Sequence, residues 1–338
     1  MSEVGEISMG GRVGHVEIHA SSAFGRNPKA REKEISSTQK AFENAQKLNP
    51  LEKYRLDLTE TVFKEPFESI KNNLRKTYSV AGLEIKEEDF PSVAIYDTGE
   101  KRVVKACGGF GAGRAGFGNR VDLFPVGEGN LLLDIRMLHH ETNHHLGRQV
   151  VVSRMTEKKL LGFKWKDPET STTQLGLASY LRENDERGLM LEEGVVEYFA
   201  TDFVLTSDDE LIVKARENYV KDTGANVEGL DNYAIRWLCK KELEKHSLPR
   251  YATARLLIET LIEGARKIGE DEAVEMRKDI LKTRIDTKNT RILMDRVDKI
   301  FGAGTFSKAY YLKFNGDKTN EEENKLFVVS LREKVGLS

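Results

Sequence analysis

The chain has 338 residues, and its 53 basic and 55 acidic side chains leave a net charge of −2. That balance supplies no overall field to draw the protein onto nucleic acid or an anionic membrane. Two cysteines exclude a disulfide framework, and no apolar run reaches the ~20 residues of a membrane helix, so the expectation is a soluble, cytoplasmic protein with no nucleic-acid or membrane partner.

In chain order, residues 1–28 are small and polar and offer at most one short strand, "RVGHVEIHA", holding His15 and His19 in incidental roles. The opening residues lack the basic and apolar regions of a secretory signal. From 29 to 90 the pattern turns helical, with Pro66 expected to kink or split the second helix. Residues 91–190 begin with β-prone runs, "PSVAIYDT" and "KRVVKAC". A glycine-rich stretch, "GGFGAGRAGFGN", comes next, and then "RVDLFPV" alternates as a strand does. Gly111, Gly113 and Gly116 fit the spacing of a dinucleotide-binding turn, but "FGNRVDLFPV" reads as strand where that turn must open a helix. A loop or hairpin beside an edge strand, "GFGNRVDLF", accounts for it better.

"EGNLLLDIRMLHHETNHHLG" reads as a helix, with Asn130 as N-cap and Gly147 as its stop. Beyond it, "KKLLGFKWKDPETSTTQLGLASYL" suggests two strands about an Asp-Pro turn. Residues 191–338 are mainly helical. The expected class is α+β: a small mixed or antiparallel sheet packed on the histidine helix, then a helical C-terminal lobe.

Four of the seven histidines fall in "HHETNHH". Residues four apart share a helix face, and only His140 and His144 have that spacing; His139 would pair with Asn143, and His145 with Glu141. The result is H-E-x-x-H, in which two imidazoles bind zinc and Glu141 reaches the water activated there. Leu138, Thr142, Asn143 and Leu146 leave the helix uncharged enough to bury a metal. His139 and His145 are assigned packing roles. A third protein ligand is needed. The extension H-E-x-x-H-x-x-G-x-x-H is excluded because Val150 stands at its last position.

The segment "LMLEEGVVEYFATDF" offers Glu192, Glu193 and Glu197 instead. Here the sequence resembles the gluzincin metallopeptidases, a branch of the zincins, over roughly residues 91–290. Their second motif places an acid or Asn before Glu-Gly and a further acid one turn on. The resemblance implies a zincin-like fold, Glu193 as third zinc ligand and Glu197 as the brace of a zinc-bound imidazole. Glu192 and Glu193 both stay open as the ligand, because Glu192 stands where Asn is often found.

The resemblance further implies peptide or protein substrates, Glu141 as general base, and a Tyr or His from the C-terminal lobe as donor to the developing oxyanion. Of His246 and Tyr251, "Y-A-x-A-x-x-x-I-x-x-L" favours Tyr251. An inactive zincin-like binding protein and a non-peptide amidohydrolase with the same zinc centre are the other readings.

Overall fold

The computed structural model describes residues 11–13, 16–20, 28–47, 51–98, 112–116, 120–125, 131–160, 163–180, 186–223, 249–315 and 317–337. Near the N-terminus, strands β1 (Gly11–Val13) and β2 (Val16–Ala20) form where the sequence led us to expect at most one. Helix α1 (Pro28–Lys47) comes next, and after the short strand β3 (Arg55–Leu56) comes α2 (Lys64–Val80).

Pro66 neither kinks nor splits α2. It is the third residue of the helix, where a backbone N–H has no intrahelical acceptor and proline costs nothing. The apolar residues of α2 recur at helical spacing (Phe67, Ile70, Leu74 and Tyr78), and all four are buried.

Strands β4 (Ser92–Tyr96), β5 (Ala112–Gly116) and β6 (Arg120–Phe124) join β3 in a sheet of order β3-β4-β6-β5. β6 runs parallel to β4 and antiparallel to β5, so it is an inner strand, and Val121 and Leu123 are fully buried. Among the described residues the edge on that side lies one strand further out, in the glycine-containing "AGRAG" of β5. The edge strand expected at "GFGNRVDLF" is therefore corrected: the alternation in "RVDLF" marks burial between two neighbours, and the small residues mark the open side.

Helix α3 (Leu131–Leu146) carries the clustered histidines. The next strands, β7 (Gln149–Leu160) and β8 (Phe163–Leu175), pair antiparallel with Leu160 opposite Phe163, so Asp167-Pro168 lies within β8 and not in a turn. Pro168 sits within β8 opposite Met155. The outer neighbour β9 (Ala178–Tyr180) reaches only Gln174 and Leu175, so among the described residues no strand pairs with β8 at Pro168 on that side, where a missing N–H breaks no ladder. β10 (Glu186–Arg187) completes the second sheet, of order β1-β2-β7-β8-β9-β10.

The remainder is helical: α4 (Leu189–Thr206), α5 (Glu210–Thr223), α6 (Pro249–Arg266), α7 (Glu270–Ile285), α8 (Thr290–Phe301), α9 (Thr305–Tyr310) and α10 (Lys318–Lys334). Two small sheets within a mostly helical chain make the class α+β. α3 packs against α2, α4, α5, β5 and β6, and α4 lies along α6. One continuous apolar core runs from Phe63 to Leu331 and includes Ile135 and Leu138 of α3. Each such fully buried side chain contributes about 1.5–3 kcal/mol, which holds the histidine helix firmly on its neighbours. Among the described residues no helix is long and apolar enough to cross a membrane.

Candidate metal centre

Two neighbouring helices bring the site together. α3 sets His140 and His144 one turn apart on one face, and their rings meet at 74° with centroids 4.8 Å apart. Gly147 comes directly after the end of α3, and its N–H donates to the His144 carbonyl at 3.0 Å. On α4, Gly194 lies so close to α6 that a Cβ there would stand 2.3 Å from the Ala254 carbonyl oxygen. This close approach gives the Glu-Gly pair its physical meaning: the glycine lets α4 seat against α6, and Glu193, one residue before it, faces α3.

Three donor atoms converge. His140 Nε2 lies 3.1 Å from His144 Nε2, and Glu193 Oε2 lies 3.3 Å from each of them. A tetrahedral zinc ion bound at 2.0–2.1 Å requires ligand atoms about 3.3–3.4 Å apart, and the triangle has that size. His140, His144 and Glu193 form a buried group that could hold a metal ion.

The far nitrogen of each imidazole is held as well. His140 Nδ1 is 3.1 Å from Glu197 Oε2, and His144 Nδ1 is 3.2 Å from Glu192 Oε1. A ring nitrogen facing a carboxylate carries a proton, so in the neutral form of each ring the Nε2 lone pair is the one directed at the centre. Each bracing carboxylate has its own cation. Arg136 and Thr201 donate to Glu197, and the fully buried Arg284 donates to Glu192.

Three carboxylates, Glu192, Glu193 and Glu197, stand around the two imidazoles, with Arg284 on Glu192, Arg136 on Glu197 and the field of Arg255 also reaching Glu197. Burial works against charge on both imidazoles, but hydrogen bonds and the fields of the surrounding carboxylates outweigh it and hold His140 and His144 above the ordinary histidine range. Burial likewise opposes ionisation of Glu193, and the two imidazoles beside it reverse that and hold it below the carboxylate range. Such a centre attracts protons or, in their place, a metal cation. His139 behaves oppositely: its burial drives it down to about 3, a neutral ring.

No protein-family model matches the sequence, and no curated protein or solved structure matches it.

The structure unites His140, His144 and Glu193 and places Glu197 behind His140. It also separates the two adjacent acids: Glu193 faces the Nε2 pair, and Glu192 faces the opposite side of His144. Glu141 is half-buried on the next position of α3. Tyr251, in the first turn of α6, sets its ring edge-on to His140 at 5.9 Å and to Phe314 at 5.2 Å. His246, Asn130 and His15 lie outside the described residues. His139 is buried away from the centre, stacked on Phe203 with Nε2 3.1 Å from Asn73 Oδ1, and His145 is fully buried. The sequence reading missed the bracing role of Glu192 and the whole support built on Arg136 and Arg284. For Arg284 no local signal exists, since its partner is 92 positions away.

Proposed function

We propose that the chain is a zinc-dependent metallopeptidase of gluzincin type, with a zincin-like catalytic fold. The reading is carried by one observation: two Nε2 atoms and one carboxylate oxygen stand 3.1–3.3 Å apart with a glutamate immediately after the first histidine. Zinc held there supplies a Lewis acid that polarises a carbonyl and lowers the pKa of water toward ~7.

The chain's own groups do the rest. Glu141 takes the proton of the attacking water and passes it to the leaving nitrogen, general acid–base work that contributes typically 10²–10⁴-fold. Tyr251 donates a hydrogen bond to the oxygen on which negative charge develops, from an α6 position already in contact with the His140 ring. Glu197 and Glu192 hold the two imidazoles in the metal-binding tautomer.

A peptide substrate is favoured by β5. Among the described residues it is one of the two edge strands of its sheet, it packs against α3, and its small residues let another backbone approach. An extended peptide can add to such an edge through main-chain hydrogen bonds.

The test is hydrolysis of an unfolded protein such as casein by the zinc-loaded chain beside Glu141→Gln. Cleavage by the wild type and its loss in a variant that still holds zinc supports the proposal. A zinc-loaded chain inert toward casein and a broad peptide library would overturn it in favour of a binding protein or an enzyme of small amides.

A further inference from the structure

Arg284 is the largest fully buried side chain of the described residues, and it stands behind the metal centre with every guanidinium nitrogen engaged. Its Nε donates to both oxygens of Glu192, at 3.2 and 3.0 Å, and its Nη2 to Oε1 at 2.6 Å. Nη2 also donates to the Asn143 carbonyl at 2.9 Å, and Nη1 to Asn143 Oδ1 at 2.8 Å and to the Tyr78 hydroxyl. Tyr78 closes the network by donating to Asn143 Oδ1 at 2.9 Å. The remaining side of Glu192 is occupied too: the Leu177 N–H donates to Oε2 at 2.9 Å. With the His144 Nδ1 contact added, neither oxygen of Glu192 is free to turn.

Glu193 differs: among the described residues its contacts near the centre are with the two Nε2 atoms. Two adjacent carboxylates are thus given different tasks, and the difference is made by a residue on another helix.

We propose that Arg284 is a positioning residue for the metal centre: by holding both oxygens of Glu192 on the Nδ1 side of His144, it leaves Glu193 as the single carboxylate ligand. The inference rests on the proposed metal centre but not on peptidase activity. In this arrangement a charged carboxylate can serve where a neutral amide would suffice, because the guanidinium balances it. Remove the guanidinium and Glu192 is a buried, unbalanced anion beside a cation site, free to become a second carboxylate ligand. Remove its charge at the same time and the need for Arg284 disappears.

The test uses the full-length chain, with zinc affinity measured by chelator competition and the ligand set by the visible spectrum of the cobalt(II)-substituted protein. Arg284→Met is compared with Arg284→Met/Glu192→Gln, in which an amide still accepts from His144 Nδ1. We expect the single variant to bind zinc about 10–100-fold more weakly, because a Glu192 that moves no longer braces His144 Nδ1, the usual effect of losing an outer support. Its cobalt absorption should weaken as coordination number rises. The double variant should recover at least tenfold in affinity and the wild-type spectrum.

Should Arg284→Met not fold, recovery of both properties in the double variant still supports the assignment. Wild-type affinity and spectrum in Arg284→Met would overturn it, as would a double variant no better than the single one. If neither variant folds, Arg284 serves the fold and the assignment falls. A wild-type chain that takes up no zinc is a different failure, that of the metal centre itself.

Discussion

Glu192 and Glu193, neighbours in sequence, lie on opposite sides of one imidazole: Glu192 Oε1 is 3.2 Å from His144 Nδ1, and Glu193 Oε2 is 3.3 Å from His144 Nε2. His144 is therefore clamped between a bracing carboxylate and one that faces the candidate centre. His140 repeats the pattern with Glu197 and Glu193. One carboxylate is shared at the centre and two stand outside it.

Gly176 gives a steric test of this clamp. It has φ +54°, and a Cβ on it would stand 2.1 Å from Glu192 Oε2. Gly176→Ala is expected to lower stability by about 1–3 kcal/mol from backbone strain alone, and more from displacement of Glu192. Zinc affinity should fall as well. Urea unfolding with chelator competition measures both, and an unchanged affinity would detach Glu192 from the site.

Metal binding should depend on pH in a definite direction. His140 and His144 are held above the histidine range by the surrounding carboxylates, so the metal-free centre retains protons near neutrality that a metal must displace. Calorimetry in buffers of different ionisation enthalpy should show about one to two protons released per zinc at pH 7, with affinity rising as pH rises. A raised folded-state pKa stabilises the metal-free protein below about pH 6.5, the unfolded histidine value. That contribution disappears as pH rises through the folded-state values, so the Tm of the metal-free form should drop on the alkaline side while that of the zinc-loaded form holds.

His139 predicts the opposite trend in acid. It is buried as a neutral ring with its pKa driven down to about 3, so below about pH 6.5 the unfolded chain takes up a proton that the folded chain refuses. Its share of stability is lost as pH falls, at up to about 1.4 kcal/mol per pH unit. Unfolding of the zinc-free protein from pH 7 to 4 should be less steeply pH-dependent in His139→Gln, and an equal slope in the two proteins would contradict the account.

Tyr251 separates chemistry from assembly. Tyr251→Phe keeps the ring against His140 and removes only the hydroxyl, so zinc content should not change. If the hydroxyl stabilises the developing oxyanion, kcat should fall by about 10²–10³-fold with little change in KM. A full kcat would leave Tyr251 as a packing residue of the α6 N-terminus.

The histidine helix was legible because helical periodicity alone selects His140 and His144 from four clustered histidines. The glutamate helix was legible through the Glu-Gly pair, whose glycine answers the close approach of α4 to α6. The resemblance pointed to Glu193 and left Glu192 open beside it; the structure turns Glu193 toward the two Nε2 atoms and Glu192 toward His144 Nδ1 and Arg284, which folding alone brings to the site. Local rules also misled where tertiary context prevailed. Pro66 lies in the first turn of a helix that it was expected to kink or split, and Pro168 sits within a strand and not in a turn. "RVDLF" alternates because it has neighbours on both sides, and the edge falls to β5.

The most direct measurement is the zinc content of the purified chain by mass spectrometry, wild type beside His144→Ala, Glu193→Gln and Glu192→Gln. The account predicts near one zinc per wild-type chain, little or none in His144→Ala and Glu193→Gln, and zinc retained at lower affinity in folded Glu192→Gln. Zinc that survives in Glu193→Gln but not in folded Glu192→Gln would contradict the ligand set, and absence of zinc from the wild type, even after reconstitution, would contradict the metal centre.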